Sequence, residues 1–355
     1  MTQLLHCPQL SLCSYTEEAH VASVTQAGVA PDHFYSTTIY PTDVFIAGEW
    51  LRVKNQRMDA AIAINYTPTL SAECKLLRDL EVGDLVVVGE EGIRIPDKTT
   101  ANPSDREFSF MSSGVSSERQ VRLIVERLAN DLLTYRESGW KVVITAGPVV
   151  IHTGGGDALA TLIRQGYVQA LLGGNAIAVH DIEQALFDTS LGVDMQQGIN
   201  VRGGHRHHLQ AINCIRRCGT IERAVDQGIL NRGVMYECVK QGIPFALAGS
   251  IRDDGPLPDT ITDTVVAQQE YARLLHGADM ILMLSSMLHS IGVGNMTPAG
   301  VQIVCVDINP AVVTKLCDRG SVESLGVVTD VGLFLNLLVQ QLTQQTVPKL
   351  TQISG

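Results

Sequence analysis

The chain has 355 residues, of which 45% are hydrophobic and 18% charged, enough for two domains and a large core and unlike a disordered chain. A formal net charge of −11 gives little reason to expect nucleic acid or an anionic membrane as partner, since each needs a basic face, so a small-molecule partner is expected. No apolar run reaches the ~20 residues of a membrane span, and the first residues, MTQLLHCPQLSLCSYTEEAH, lack a basic region followed by an apolar core, so a cytoplasmic protein is expected.

Residues 1–26 show no clear period and read as a leader or the remnant of an upstream domain. Residues 27–115 read as a β-rich domain. Val44 to Val53 forms two short strands around Ala47-Gly48, and Ala60–Ile64, Glu73–Leu77 and Leu85–Val88 supply further strands, so a small sheet or barrel is expected. Pro96 to Asp105 is polar and proline-bearing, as an exposed loop or linker is. After Ser116 the period changes: Glu118 to Tyr135 carries apolar residues at helical spacing, with Ser117 as N-cap, and opens a larger domain over residues 116–345, followed by a tail at 346–355. Its predicted strands are Val142–Thr145, Val168–Leu172, Phe245–Ala248, Met280–Leu284, Val301–Val306 and Leu325–Thr329, with helices between them and a last helix over Val331–Leu342. This alternation predicts a parallel sheet covered on both faces. The longest interruption, Thr189–Gly242, should hold two or three helices that shape the site.

The stretch from Lys141 to Glu183 carries the main functional signal. A β-branched strand leads through Gly147 and Thr153 to Gly154, Gly155 and Gly156, and a helix follows, so free N–H groups would face an anionic ligand there. The pattern repeats with a strand, the turn Gly173-Gly174-Asn175 and a helix bearing His180, Asp181 and Glu183. The spacing differs from GxGxxG, and glycines after strands also serve ordinary tight turns. A third turn is expected at Gly292, Gly294 and Asn295. At the end of another strand, Asp307 can accept hydrogen bonds from an adenosine ribose, with Asn309-Pro310 opening the next helix; a helix cap is the alternative role. Convergence of these features on the carboxyl ends of parallel strands predicts a dinucleotide site.

Three clusters are candidates for the chemistry. In Gly249 to Pro258, Ser250 adds a hydroxyl, Arg252 can hold a substrate carboxylate, and Asp253 or Asp254 can hold an ammonium or act as base; a salt-bridged structural loop is the rival. Gly203 to His208 concentrates His205, Arg206, His207 and His208 at a helix start, for substrate contact, solvation or metal binding, although no acidic third ligand lies at helical spacing. Asp181 either faces a cofactor ring or packs. The eight cysteines include no CxxC pair and are expected as reduced thiols, with a Cys214/Cys218 metal face as the lesser alternative, so no metal site is assigned.

The strings FYSTTIYPT, MDAAIAI, GDLVVVGEEGIR, FSFMSSGVSSE, AGPVVIHTGG, GGNAIAVHDIE, GGHRHHLQAIN, MYECVKQGIPFALAGSIRDDGPLPD, MLHSIGVGN and VDINPAVVTKLCDRGS closely resemble the NAD-dependent ornithine cyclodeaminases of archaea and cyanobacteria. They also resemble the central region of lysine-ketoglutarate reductase/saccharopine dehydrogenase. The resemblance runs from about Ala27 to about Leu342, the first 26 residues fitting less well. It implies an α/β protein: a small β-rich N-terminal domain followed by a Rossmann-like parallel-sheet NAD-binding domain similar to deoxyhypusine synthase. The implied reaction is L-ornithine to L-proline and ammonia with NAD as cofactor, in a homotetramer or homodimer, without the arginine hydrolysis of the bifunctional cyanobacterial proteins; the alternatives are another NAD-dependent amino-acid dehydrogenase or a non-catalytic NAD-binding module of an amino-acid-catabolic complex. Candidate catalytic residues are Arg252, Asp253, Asp254, His205, His207 and Asp181; candidate cofactor residues are Gly147, Thr153, Gly154, Gly155, Gly173, Gly174, Asn175, Ser250, Gly294, Asn295, Asp307 and Asn309.

Overall fold

The computed structural model describes residues 17–96, 117–195, 198–199, 201–202, 204–253, 255–317 and 324–346, excepting the side chains of 117–120, 194, 205 and 346. The expected Pro96–Asp105 loop therefore lies outside the described residues, apart from Pro96, as do residues 1–16 and 347–355. The chain divides into two compact units between residues 100 and 101.

The first unit is built from short antiparallel strands: β1 (His20–Ser23), β2 (Asp43–Ile46), β3 (Glu49–Arg52), β4 (Ala61–Asn65), β5 (Ser71–Lys75), β6 (Leu85–Val88) and β7 (Ile93–Arg94). They form two sheets, in the orders β1-β6-β4-β5 and β3-β2-β7. The β2–β3 hairpin turns through Ala47 and Gly48, both at positive φ (52° and 80°), which matches the twist of the strands it joins. Alternate residues point inward, so Val44 and Ile46 from one sheet share a core with Ile62, Ile64 and Val87 from the other. β1 falls inside the stretch read as a leader; it pairs with β6 along its whole length.

The second unit holds a seven-stranded parallel sheet of β8 (Val142–Ala146), β9 (Ala170–Gly174), β12 (Phe245–Ala248), β13 (Thr260–Ile261), β14 (Met280–Leu284), β15 (Gln302–Asp307) and β16 (Ser324–Val328), in the order β13-β12-β9-β8-β14-β15-β16. Its helices are α1 (Ser117–Ser138), α2 (Val149–His152), α3 (Gly156–Arg164), α4 (Asn175–Phe187), α5 (His207–Cys218), α6 (Ile221–Asp226), α7 (Val234–Lys240), α8 (Thr264–Leu275), α9 (Met287–Met296), α10 (Pro310–Cys317) and α11 (Val331–Thr346). A two-residue-per-strand hairpin, β10 (Thr189–Ser190) and β11 (Val193–Asp194), follows α4.

The strands read as unbroken apolar runs because both sheet faces are covered. Ile144, Leu171, Leu282 and Val304 pack on one face with Leu128, Leu159, Ile177 and Phe334, while their neighbours Val143, Leu172, Ile281 and Ile303 pack on the other with Tyr271, Leu274, Val293 and Leu316. From β8 the chain moves one way through β9 and β12, then returns to β14 and moves the other way through β15 and β16. The reversal puts a switch point between β8 and β14, the place at which sheets of this kind have their ligand crevice, at the carboxyl ends of the strands.

Two glycine segments differ from the sequence expectation. Gly173 and Gly174 are the last residues of β9, and Asn175 starts α4 directly, so no separate turn exists there. Gly292, Gly294 and Asn295 lie within α9, the strand end being marked instead by Ser285 and Ser286. Among the described residues no helix is long and apolar enough to cross a membrane.

Candidate active site

The floor of the crevice is bare backbone. The Gly147 N–H donates to Leu284 O at 2.9 Å, and a Cβ on Gly147 would lie 2.2 Å from Ser285 O, so no other residue fits. Ser285 adopts φ +46°, uncommon for a residue with a side chain, and its N–H donates to Val306 O at 2.9 Å. One strand further, Asp307 ends β15; its Oδ1 accepts from the Asn309 N–H at 2.8 Å, while Asn309 Oδ1 accepts from Ala311 N–H at 3.0 Å and caps α10. A carboxylate so held at a strand end suits the two hydroxyls of a ribose.

On the other side of the switch, His289 of α9 reaches across to the end of β9. Its ring is so close to Gly174 that a Cβ there would sit 2.7 Å from the imidazole Cε1. Nδ1 lies 3.0 Å from Ser286 Oγ. Burial pushes the His289 pKa down, opposed by the Asp253 carboxylate and reinforced by Arg252, so the ring is held as the neutral base near pH 7. Asp253 is fixed in turn: Oδ2 accepts from the Ser250 N–H at 2.7 Å and Oδ1 from Asn175 Nδ2 at 3.3 Å. The Asn175 carbonyl accepts from Leu257 N–H and Thr260 Oγ1, which sets the amide orientation.

The fold thus brings Gly147, Gly174, Asn175, Ser250, Asp253, Asp307 and Asn309 to one edge, with the exposed Arg252 beside Asp253. His289 and Ser286 were not singled out from the sequence; the signal available was a Ser-x-x-His spacing directly after a buried strand, which puts both side chains on the first turn of a helix.

Other expected residues are placed differently. The N–H groups of Thr153, Gly154 and Gly155 already donate to Val149, Ile151 and Val150 carbonyls, so this turn offers no free anion cradle through them. Gly155 is small because Leu335 and Gly332 of α11 pack on it. Gly294 is buried in α9, and the Asn295 Oδ1 is buried there without a hydrogen-bond partner. Both Asp181 oxygens accept backbone N–H groups at the start of α7, from Val234 at 2.7 Å and Met235 at 2.8 Å, so Asp181 serves as a helix cap supplied by another element. His207 joins a second polar cluster around Thr189 and Glu183. Asp254 and the His205 side chain lie outside the described residues. Among the described residues no group of three or more His, Cys, Asp or Glu is placed to hold a metal.

The family model for the Rossmann-fold part of the C-terminal region of arginine dihydrolase ArgZ-like proteins matches residues 126–338, and the model for the first part of that region matches residues 41–125. The chain belongs to this family. Among its relatives, the bifunctional arginine dihydrolase/ornithine cyclodeaminase AgrE of Nostoc is 66% identical over 339 residues, covering 95% of this chain and 48% of AgrE. The chain thus spans about half the length of the bifunctional ArgZ-like proteins it matches. The ornithine cyclodeaminase of Methanocaldococcus jannaschii is 53% identical over 331 residues, 92% of this chain and 78% of that protein. Among solved structures, a putative LOR/SDH protein of Methanococcus maripaludis superposes with a TM-score of 0.86 at 46% identity, covering 93% of this chain and 99% of that one. AgrE in ternary complex with ornithine and NAD+ gives 0.64 at 64% identity, covering 95% and 47%.

Proposed function

We propose that this ArgZ-like chain is an NAD-dependent ornithine cyclodeaminase that converts L-ornithine to L-proline and ammonia. The observation that carries this reading is the match to AgrE, whose solved complex holds ornithine and NAD+ and which is 64% identical over 95% of this chain. The crevice supports it: Asp307 and Asn309 present polar groups at the end of β15, where a ribose can be held, next to the switch point. When bound there, NAD supplies an acceptor for the hydride of the substrate α-carbon and a donor that returns it.

The remaining tasks fall to the chain. Arg252, exposed at the crevice, is the candidate for the substrate carboxylate. His289, kept neutral by burial, takes a proton from an ammonium so that the amine can attack, and Asp253 stabilises the imidazolium that results. The working form is a cytoplasmic homodimer or homotetramer, which light scattering checks for its size.

The test is incubation of purified protein with L-ornithine and NAD while proline, ammonia and NADH are followed together. Proline and ammonia in equal amounts without net NADH are expected. Net NADH would point to an amino-acid dehydrogenase, and the absence of proline would end the assignment.

A further inference from the structure

We propose that His180 and Glu183 form a second proton-transfer pair of the same reaction, with His180 exchanging a proton with a substrate nitrogen and Glu183 as its positioning residue. The proposal rests on the ornithine reading above.

Glu183 has no exposed side-chain surface. Burial pushes its pKa up, but hydrogen bonds from His180, the Gly192 N–H and Thr189 outweigh that and bring it below the usual value, so it is a buried anion. Four donors surround it: Thr189 Oγ1 at 3.1 Å and Gly192 N–H at 3.0 Å on Oε1, and His180 Nδ1 at 2.8 Å and Leu191 N–H at 3.2 Å on Oε2. An ionised carboxylate only accepts, so His180 must carry its proton on Nδ1. In the neutral ring the lone pair then sits on Nε2, and the carboxylate behind the ring stabilises the imidazolium that forms when Nε2 takes a proton. Anchoring the β10–β11 hairpin needs acceptors, but it does not need a full buried charge on an imidazole.

Among the described residues, the other histidines near the pair face other partners. From α2, His152 meets the His180 ring edge-on at 4.7 Å, with its Nδ1 2.6 Å from Ser190 Oγ; burial, then His180 itself, push His152 down to about 4, so it stays neutral. From α5, the His208 ring lies 6.4 Å away, while His207 donates from Nδ1 to Thr189 Oγ1 at 2.8 Å and stacks on Phe187 at 4.8 Å. Among its described groups the hairpin adds the hydroxyls of Thr189 and Ser190 to the N–H groups of Leu191 and Gly192, and Asp181 is engaged at α7. His180 retains 12% side-chain exposure. The pair is also tied to the crevice: α2 starts two residues after Gly147, and α4 starts at Asn175, which holds Asp253.

In the assigned step, after the amine freed by His289 has attacked the imine carbon, the newly bonded nitrogen is an ammonium; one of its N–H bonds breaks and the proton moves to Nε2 of His180. The same proton later passes to the nitrogen that leaves as ammonia, so His180 ends as it began.

The test compares H180N and E183Q with the wild-type chain. The Asn Nδ2 of H180N can replace Nδ1–H as donor to Glu183, keeping the hairpin anchored while removing the base. H180N is expected to melt with the wild type yet form proline about 100-fold more slowly or worse, with the acidic limb of kcat lost. E183Q is expected to move that limb to lower pH, because the imidazolium loses its anion. Variants that melt early but keep the wild-type pH profile, or an H180N chain within about twofold of wild-type turnover, overturn the pair alone. A wild-type chain that forms no proline overturns the ornithine reading, and the pair with it.

Discussion

Asp181 and Glu183 stand two residues apart on α4, both buried, and they answer burial in opposite ways. Asp181 faces α7 and receives two backbone N–H groups; burial nevertheless pushes its pKa up to about 7, with Asp157 adding to the rise. Glu183 faces the hairpin and α5, receives four donors including an imidazole, and is lowered. The number and charge of the donors, rather than depth, decide which carboxylate stays ionised. One face of α4 therefore closes the fold, and the other presents an anion to a histidine.

The comparison breaks most sharply at Glu183. Glu183→Ala strands four buried donors and is expected to cost about 3–5 kcal/mol in urea unfolding. Gly233→Ala attacks the other face: Gly233 has φ +101°, and an added Cβ would meet Asp181 Oδ1 at 2.8 Å, so about 2 kcal/mol is expected, with the α7 start disturbed in amide exchange. Asp181→Asn keeps one acceptor and leaves one N–H opposed, at about 1–2 kcal/mol.

The pH dependence separates the two further. Asp181 has a raised folded pKa, so its contribution is complete below about pH 3.8 and is lost as pH rises through about 7. Glu183 has a lowered one, so its contribution is present above its ordinary pKa of 4.5 and is lost in acid. Stability of the wild type relative to D181N should therefore fall from pH 4 to 7, while stability relative to E183Q falls on acidification. Parallel slopes would contradict the assignment of opposite charge states.

The sheet was legible because both its faces are buried: Phe245–Ala248 and Met280–Leu284 recur residue for residue in β12 and β14. The hairpin at Ala47-Gly48 was legible from its turn chemistry. Glycines misled because one residue type answers several demands. Gly154 has the positive φ of a turn, whereas Gly174 is extended and small because His289 lies against it, and Gly292 and Gly294 are helical. Part of the expected edge comes together, with Asn175 on Asp253, while His289 comes against Gly174 only through the folded sheet. The same holds for Asp181, whose partners lie on a helix that no local spacing connects to it.

The most direct test of the central claim is turnover of L-ornithine deuterated at the α-carbon, in the presence of unlabelled NAD. Borrowing and return of one hydride predict proline that retains deuterium at the α-carbon, formed together with ammonia and without deuterated NADH in solution. Proline that has lost the label to solvent, or label accumulating in free NADH, would contradict the account.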